Sequence, residues 1–483
     1  MTRRQVFSLV AACAIATWAG VALTQDKPQA IEALLNDYRD AGAFNGAALV
    51  AENGRVIFKK GFGLADFEWQ VPNTADTRFR LGSITKQFTA TLVMQLVEQG
   101  TLSLDTTLAA ALSYYRKDTG EKITIHQLLN HTSGIPSYTG LPNFIKDKSR
   151  DPYGPRDFVL KYCSGDLEFT PGERFNYNNS GYFLLGAILE HATGKSYEQL
   201  LKERIFEPLR MTSSGYDSSR TLLPKRARGY ERPFAGVRNA DYLDMSIPYA
   251  AGSLYSTAED LYLWDQALYG DKILKAASRE KMFTPGLDEY GYGWNIRKQK
   301  IGPEKAERVV IGHGGGINGF NTLIMRVPED KNLVVLLNNT GGTNLGAMFE
   351  GIADILYGRT PPPPKPGIAT VLYETLRRSG AAAAVAEYAD IRAKRPSAFD
   401  MREGQLLRLG RELLEEKRSA DAIEVFKLAA EVFPVSGNPH EGLAEAYWAT
   451  GDVPRAIQSY ARALELNPRS RNAAERLAEL KRQ

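Results

Sequence analysis

Cysteine is almost absent from this chain of 483 residues, which contains only Cys13 and Cys163. Cys13 lies in an N-terminal apolar run, so a chain cleaved after that run keeps one cysteine and forms no internal disulfide. The sequence also lacks an excess of one charge, with 60 basic and 56 acidic side chains. This balance gives no electrostatic footprint for nucleic acid, and we expect no nucleic-acid partner.

Metal and cofactor motifs are missing as well. Neither His-Glu-x-x-His nor Cys-x-x-Cys occurs, and His126 and His131 stand five residues apart, which is wrong for one helical face. The segment from Gly314 to Gly319 fits the glycine pattern of dinucleotide sites, but it lies between two predicted strands rather than before a helix. We expect no metal and no cofactor, and we interpret both histidines as structural.

Long hydrophobic runs are lacking except at the N-terminus. There Arg3 and Arg4 precede an uncharged stretch from Val6 to Leu23. A short basic head and an apolar run predict a secretory signal peptide over residues 1–24, and hence a periplasmic or secreted protein without a membrane span after cleavage. Two alternatives stay open: an uncleaved anchor, because the run can just span a bilayer, and lipid attachment at Cys13.

Strand-like segments occur at both ends of residues 25–358, with helices between them. Two apolar runs flank Asn53-Gly54, which is the strongest short-range signal for a hairpin. Further strands are predicted at 291–297, 307–311, 321–327 and 333–338, and helices at 85–99, 123–130, 180–192, 196–205 and 258–267. This order predicts an α+β fold in which distant segments build one antiparallel sheet flanked by helices.

The composition changes at Arg359. The segment Thr360-Pro-Pro-Pro-Pro-Lys-Pro-Gly367 cannot continue a helix or a sheet, because proline lacks the N–H group and fixes φ. It predicts a stiff linker over residues 359–367 that holds the rest of the chain away from the preceding domain.

Residues 368–483 are almost all helix-forming and contain a repeat of 34 residues. The matching positions pair Gly410 with Ala444, Leu414 with Trp448, Ala422 with Ala456, Phe426 with Tyr460, Ala429 with Ala463, and Pro434 with Pro468. This pattern resembles tetratricopeptide repeats. We expect an all-α domain with two repeats over 405–472, a degenerate earlier pair over 373–395, a capping helix over 473–482, and a surface for a protein partner.

Ser83-Ile-Thr-Lys86 is a Ser-x-x-Lys motif. Serine is a weak nucleophile that needs a nearby base, and on a helix the Lys86 amine can reach the Ser83 hydroxyl. Burial would lower the lysine pKa and favour the neutral base. Gly82 permits a tight turn at the helix N-terminus, where backbone N–H groups can bind an oxyanion. A second copy, Ser278-Arg-Glu-Lys281, lies in a charged helix, and we interpret it as accidental.

Two further motifs carry polar groups at predicted loop and strand ends. Tyr177-Asn-Asn179 precedes an apolar helix, where a phenol and an amide can relay a proton and hold a substrate amide; the alternative is a turn with locally bonded asparagines. His313-Gly-Gly315 ends a predicted strand, and its glycines permit close approach of a ligand. The N–H of Gly316 could then join that of Ser83 in an oxyanion hole.

Ser-x-x-Lys, Tyr-x-Asn and His-x-Gly in this order resemble the motifs of the serine β-lactamase and penicillin-binding-protein-like hydrolases, on the class C side. The likeness runs from about Ile31 to Gly358 and includes Thr124-Ile-His-Gln-Leu-Leu-Asn-His-Thr-Ser-Gly-Ile135. The resemblance implies a β-lactamase/transpeptidase-like fold with a helical subdomain. It also implies that Ser83 is the acylated nucleophile, Lys86 and Tyr177 a proton-transfer pair of undecided order, and Asn179 a substrate-orienting amide.

One motif departs from the family pattern. Efficient class C β-lactamases carry Lys-Thr-Gly where this chain has His313-Gly-Gly315. An imidazole near neutrality then replaces a permanent cation, so recognition of a penicillin carboxylate should weaken, and activity on anionic substrates should fall as His313 deprotonates. We expect a D-peptidase or esterase acting on a small molecule or peptide, with a catalytically weak penicillin-binding sensor or scaffold as the alternative.

Overall fold

The computed structural model describes residues 26–141, 143–301, 306–468 and 470–482. The predicted signal peptide, including Cys13, lies outside these ranges. Within them, no helix is both long enough and apolar enough to cross a membrane.

Six antiparallel strands form the central sheet: β1 (Gly46–Glu52), β2 (Arg55–Phe62), β3 (Asn295–Lys300), β4 (Glu307–Ile317), β5 (Phe320–Val327) and β6 (Asn332–Asn338), in the spatial order β3-β4-β5-β6-β1-β2. Asn53 and Gly54 join β1 to β2 with φ angles of 51° and 77°. Positive φ at both positions suits the right-handed twist of a hairpin, so the predicted hairpin is confirmed.

Both faces of the sheet are covered by helices. Ala47 and Leu49 of β1 point into a large core that contains Phe88 and Trp264. Ala48 and Val50 point to the opposite face, where the helices Lys27–Asp40 and Leu345–Leu356 pack. The strand is therefore apolar throughout, as expected for a strand buried on two sides, and the predicted α+β architecture is confirmed.

The large core is closed by a helical layer. Its helices are Thr85–Glu98, Leu108–Ala111, Lys117–Gly120, Ile125–Leu129, Phe144–Lys148, Pro155–Tyr162, Asn179–Thr193, Tyr197–Leu201, Glu207–Leu209, Tyr249–Gly252, Ala258–Ala267 and Ala276–Met282, with a π-helix at Lys202–Phe206. Short strands at Phe79–Arg80, Leu254–Ser256 and Gly215–Tyr216 form a three-stranded sheet. Two more short pairs join Leu64–Asp66 to Val71–Pro72 and Tyr230–Glu231 to Arg238–Asn239.

Two strands differ from their predicted bounds. The strand predicted from Gly291 begins only at Asn295, because Gly293 has a φ of 79°, outside the extended region. The strand predicted to end at Ile311 continues to Ile317, because its glycines pair with β5, including Gly315 opposite Thr322. The prediction that the His-Gly-Gly motif ends this strand was therefore wrong.

The C-terminal tail is helical, as predicted. It contains Ile368–Lys394, Glu403–Glu415, Ser419–Val432, Asn438–Ala449, Val453–Leu466 and Arg471–Leu480. Gly380 interrupts the first helix with a φ of 82°, so this segment forms a helix pair. Ala422, Phe426 and Ala429 are fully buried, and so are their counterparts 34 residues later. The repeat positions are thus the contact positions between helices.

The tail packs against the preceding domain through Phe234. The Phe234 ring stacks on Tyr373 with a centroid distance of 5.3 Å, and the Arg408 guanidinium lies 4.3 Å from the same ring centroid. The Phe234 amide donates to Glu412 at 2.7 Å, and Arg408 donates to the Arg232 carbonyl at 2.7 Å. The prediction that the proline-rich linker holds the tail away from the preceding domain was wrong, because Phe234 and the hydrogen bonds around it join the two domains.

Candidate active site

Ser83 lies in a short 3-10 turn, Gly82–Ile84, directly before the helix Thr85–Glu98. Gly82 has a φ of 55°, and a Cβ atom there would come within 2.9 Å of the Gly316 nitrogen on β4. Only glycine fits this close approach without strain. The turn therefore presents the Ser83 hydroxyl beside β4.

The Lys86 amino group reaches three oxygen atoms, two of them from distant parts of the chain. Its Nζ donates to the Ser83 hydroxyl at 3.1 Å, to Asn179 Oδ1 at 2.8 Å and to the Ala251 carbonyl at 2.9 Å. The side chain has no solvent exposure. Burial lowers the pKa of Lys86 well below its usual value, because the charged form loses its hydration.

The ring of Tyr177 packs beside the Lys86 amino group. The Lys86 Nζ is 4.8 Å from the Tyr177 ring centroid. Among the described residues, the buried Tyr177 hydroxyl makes no hydrogen bond. Burial raises the pKa of Tyr177, and the nearby Ser83 hydroxyl opposes that rise. A phenol in this setting keeps its proton at neutral pH.

Asn179 is the first residue of the helix Asn179–Thr193. Its Oδ1 accepts from Lys86, and its Nδ2 donates to the Thr139 hydroxyl at 3.1 Å. Asn178 caps the same helix, because its side chain accepts from the Gly181 amide. Both interpretations of this motif therefore apply: Asn178 caps the helix, and Asn179 contacts Lys86.

His313 is buried, and both ring nitrogens have protein partners. Nδ1 lies 2.6 Å from the Gly314 carbonyl oxygen, which can only accept, so this nitrogen carries the proton. Nε2 then accepts from the Tyr290 hydroxyl at 2.9 Å. Burial, with a smaller contribution from Lys86, lowers the pKa of His313 to about 4. The expectation of an imidazole that titrates near neutrality was therefore wrong.

Sequence reasoning missed two members of this cluster, His131 and Tyr290. His131, interpreted as structural, is buried with ring centroids 4.4 Å from Tyr177 and 4.6 Å from Tyr290. Its Nδ1 accepts from the Asn178 amide at 3.1 Å. Burial lowers the pKa of His131 well below its usual value, with Lys86 and His313 adding to the effect. The positive φ of His131, 62°, is its only unusual local feature, and a sequence does not display it.

The glycines of β4 shape the edge next to Ser83. A Cβ atom on Gly315 would lie 1.9 Å from the Leu81 carbonyl oxygen, so β4 packs directly on the strand-to-turn segment. Gly316 is exposed, and a Cβ atom there would meet nothing within 4 Å. The second oxyanion donor was predicted at this residue, which the structure leaves open on its Cβ side.

The second Ser-x-x-Lys copy has no such surroundings. Ser278 and Lys281 lie in the helix Ala276–Met282, and Lys281 is exposed. Within the described ranges, no hydrogen bond joins the two side chains. The structure therefore brings together Ser83, Lys86, Tyr177, Asn179, His313, Gly315 and Gly316 and leaves Ser278 outside.

Known proteins resemble this chain over the same part. The Beta-lactamase family model matches residues 31–357, and a Tetratricopeptide repeat model matches residues 437–480. The putative penicillin-binding protein PbpX of Bacillus subtilis (strain 168) is 31% identical over 324 residues, which cover 67% of this chain and 78% of the relative.

Two solved structures extend the comparison. A penicillin binding protein from Bacillus halodurans is 29% identical with a TM-score of 0.57, covering 67% of this chain and 97% of its own. The D-amino acid amidase from Ochrobactrum anthropi SV3 is 26% identical with a TM-score of 0.59, covering 69% of this chain and 97% of its own. With a buried Ser–Lys pair on the matching fold, the chain belongs to the beta-lactamase family and carries C-terminal tetratricopeptide repeats.

Proposed function

We propose that the protein is an exported serine hydrolase that forms an acyl-enzyme on Ser83 and acts on D-peptide, amide or ester substrates. The observation that carries the proposal is the contact between the buried Lys86 amine and the Ser83 hydroxyl, at 3.1 Å. A lysine whose pKa is lowered by burial can be neutral at working pH and accept a proton from serine.

Acylation begins when the Ser83 oxygen attacks the substrate carbonyl carbon. The new C–O bond forms as the serine proton passes to the neutral Lys86 amine, and the carbonyl electron pair moves onto oxygen. The backbone N–H groups of Ser83 and Gly316 donate to the resulting oxyanion. Such preorganised donors commonly supply the largest electrostatic stabilisation in acyl transfer.

Tyr177 completes the proton path. Because burial raises its pKa, the phenol stays protonated and donates to the leaving amine or alcohol as the tetrahedral intermediate collapses. The Lys86 ammonium then returns a proton to Tyr177. Water then attacks the carbonyl carbon of the acyl-enzyme and gives a proton to the neutral Lys86 amine. When the tetrahedral intermediate collapses, Lys86 returns that proton to the Ser83 oxygen and the acid product leaves. We thus assign the base role to Lys86 and the acid role to Tyr177.

The substrate preference follows from His313. A penicillin carboxylate needs a cation in this position, whereas His313 is neutral and has both nitrogens engaged. The structural likeness to a D-amino acid amidase also supports amide substrates without a carboxylate beside the scissile bond. D-Amino-acid amides and short esters are therefore proposed ahead of β-lactams and ahead of D-alanyl peptides with a free carboxylate beside the scissile bond.

The remaining chain suggests where the reaction occurs and what accompanies it. We infer that residues 1–24 direct export, and that the hydrolase acts in the periplasm or outside the cell. Tetratricopeptide repeats present surfaces for extended peptides or helices, so the tail is proposed to bind a protein or peptide.

Covalent labelling tests the nucleophile. Wild-type protein should be labelled by a fluorophosphonate probe, and mass spectrometry should place the adduct on the peptide that contains Ser83. Ser83→Ala should abolish labelling and hydrolysis, whereas Ser278→Ala should retain both. An adduct on another serine would contradict the assignment. Labelling without turnover of any substrate class would favour the sensor or scaffold function instead.

A further inference from the structure

His131 is a buried histidine that the proposed reaction does not use. Its side chain is 1% exposed, and its ring centroid lies 4.4 Å from that of Tyr177 and 4.6 Å from that of Tyr290. Burying a polar ring among aromatic rings is unfavourable unless its nitrogens find partners, and an apolar side chain could fill the same space. The role of this histidine should therefore depend on the bonds that it makes.

His131 holds the backbone on both sides of Tyr177. Its carbonyl oxygen accepts from the Asn176 amide at 2.9 Å, and its Nδ1 accepts from the Asn178 amide at 3.1 Å. Because a main-chain amide can only donate, Nδ1 is unprotonated, and the neutral ring carries its proton on Nε2. Burial lowers the pKa of His131, which keeps Nδ1 available as an acceptor. One residue thus fixes Tyr177 by two flanking hydrogen bonds and by contact between the rings.

The position of His131 in the chain would suit a different residue. It follows the helix Ile125–Leu129 and has a φ of 62°. Glycine is the usual residue at such a left-handed helix end, because it has no Cβ atom to cause strain, and asparagine is the next most frequent. A glycine would end the helix with less strain but would leave the Asn178 amide without its acceptor. The histidine is therefore explained by its side-chain contacts and not by helix termination.

The segment after His131 holds the same motif at further points. The Asn178 side chain donates to the Ile135 carbonyl, and the Gly172 amide donates to the Thr132 carbonyl at 2.8 Å. These contacts align residues 131–135 with residues 172–178. Within this alignment the imidazole is the side chain that packs on the Tyr177 ring.

We propose that His131 is a positioning residue for Tyr177, and that it holds the phenol hydroxyl where it can protonate the leaving group. The proposal rests on the proposed function, which gives Tyr177 the role of acid. His131 acts through the Asn176 and Asn178 amides and through ring packing, and the proton itself passes from Tyr177.

A displaced acid has a signature that a general loss of structure lacks. An amide nitrogen must gain a proton before it leaves, whereas para-nitrophenolate leaves as a stable anion without one. The two test substrates are D-phenylalanine amide and the para-nitrophenyl ester of D-phenylalanine. Their kcat/KM values report acylation, the step in which the leaving group departs. Substitution of His131 should therefore lower kcat/KM for the amide and spare the ester.

Two substitutions remove the acceptor, and a third restores it. His131→Phe keeps an aromatic ring and His131→Leu is smaller; each should lower kcat/KM for the amide about tenfold and for the ester less than about twofold. His131→Asn should keep the amide value within about threefold of the wild type, because its side-chain oxygen can replace Nδ1 and asparagine tolerates the left-handed backbone.

The matched control is His126→Phe. His126 lies in the same segment, and its Nδ1 contacts the Tyr292 hydroxyl at 2.6 Å instead of the Tyr177 motif. This variant should leave kcat/KM for both substrates unchanged. Fluorophosphonate labelling of Ser83 gives the concentration of active protein for every variant, so a partly unfolded sample does not imitate a catalytic loss.

A double-mutant cycle tests whether His131 acts through the phenol. In the Tyr177→Phe background, His131→Phe should have no further effect on kcat/KM for the amide, because the hydroxyl that it positions is absent. Additive losses would overturn the proposal, since His131 would then act on another group.

The remaining outcomes separate this proposal from the proposed function. Equal losses on amide and ester in His131→Phe and His131→Leu, with normal labelling of Ser83, would make His131 a structural residue and leave the hydrolase intact. Loss of amide activity in His131→Asn equal to that in His131→Phe would also overturn the positioning role. Wild-type protein that is neither labelled at Ser83 nor active on either substrate would remove the proposed function, and the role of His131 with it.

Discussion

Ser83-Ile-Thr-Lys86 and Ser278-Arg-Glu-Lys281 have the same spacing of serine and lysine, but their lysines lie in opposite surroundings. The first pair begins a buried helix, and its lysine has no solvent exposure. The second pair lies on the short helix Ala276–Met282, where Lys281 is exposed. Only the first pair has a hydrogen bond between lysine and serine among the described residues.

The difference indicates that the reactivity proposed for Ser83 depends on tertiary contacts rather than on the motif alone. The Asn179 and Ala251 oxygens that hold Lys86 come from 93 and 165 residues away in the chain. These contacts fix the amine beside Ser83 and exclude water, which lowers the pKa of Lys86. Lys281 is exposed. Substitutions that act on burial, on partners or on backbone shape should therefore separate the two pairs.

Removing the base should have the largest effect. We expect Lys86→Met to lower kcat by about 10²–10⁴, the usual contribution of a positioned general base. Lys281→Met should leave kcat unchanged within error. Steady-state kinetics on a D-amino-acid amide measure both. Equal losses in the two variants would show that the lysines act through the fold or the overall charge rather than through Ser83.

The same variant reports on the buried charge. Because the folded pKa of Lys86 is below 10.5, the unfolded chain binds more protons at this site. The unfolding free energy of the wild type should therefore rise relative to Lys86→Met as the pH increases toward 10.5. Urea unfolding at several pH values measures this difference. A pH-independent difference would mean that Lys86 is charged in the folded state.

Removal of the Tyr177 hydroxyl should have the next largest effect on kcat. Tyr177→Phe removes a buried hydroxyl that has no hydrogen-bond partner in the described structure, so we expect unchanged or higher stability with kcat lowered about 10²-fold. Tyr269→Phe is the matched control, because its hydroxyl is also buried without a hydrogen bond but lies beside Arg326, away from Ser83. A loss of stability in Tyr177→Phe would indicate a structural hydroxyl instead of a proton donor.

The backbone conformation before the serine should distinguish the two copies by a third, smaller effect on kcat. Gly82 precedes Ser83, and Ala277 occupies the matching position before Ser278. Gly82→Ala therefore makes the two copies alike at this position. Its left-handed backbone alone should cost about 1–2 kcal/mol, and the clash with Gly316 should displace Ser83 and lower kcat about tenfold or more. Ala277→Gly, in an exposed helix, should cost about 1 kcal/mol without loss of activity. Full activity in Gly82→Ala would show that the close approach to β4 is not needed.

The sequence predicted the site where the signal is local. Ser83 and Lys86 are neighbours on one helical turn. In the same way, Asn53-Gly54 predicts its hairpin and the repeat of 34 residues predicts its helices from local sequence alone. Tyr290 and His131 were missed, because each enters the site by packing against residues far away in the chain. A buried carbonyl such as that of Ala251 carries no side-chain signal at all.

The errors in the fold have the same origin. Glycines weaken a strand by local propensity, yet pairing with β5 carries β4 through Gly315 to Ile317. The proline-rich linker predicted a separated tail from local stiffness alone. The contact that joins the tail to the hydrolase depends on Phe234 in one domain meeting Tyr373 in the other, which no local pattern displays.

The smallest effect on catalysis is expected from pH at His313. Because its pKa is about 4 in the folded protein, the imidazole stays neutral from pH 5.5 to 8. Activity on anionic and on neutral substrates should therefore show no separate limb in this range. A limb near pH 6.5 for anionic substrates only would restore the charged role first expected from the sequence.

His313 should instead be visible in stability. The unfolded chain takes up a proton near pH 6.5 and the folded chain near pH 4, so His313 contributes full stability above pH 6.5 and loses it as the pH falls toward 4. Between pH 7 and pH 4.5 this loss is about 2–3 kcal/mol. Urea unfolding should show a drop smaller by that amount in His313→Gln, whose side chain does not titrate. An equal drop in both proteins would place the proton on His313 before unfolding and would make its imidazole a charged group of the folded site.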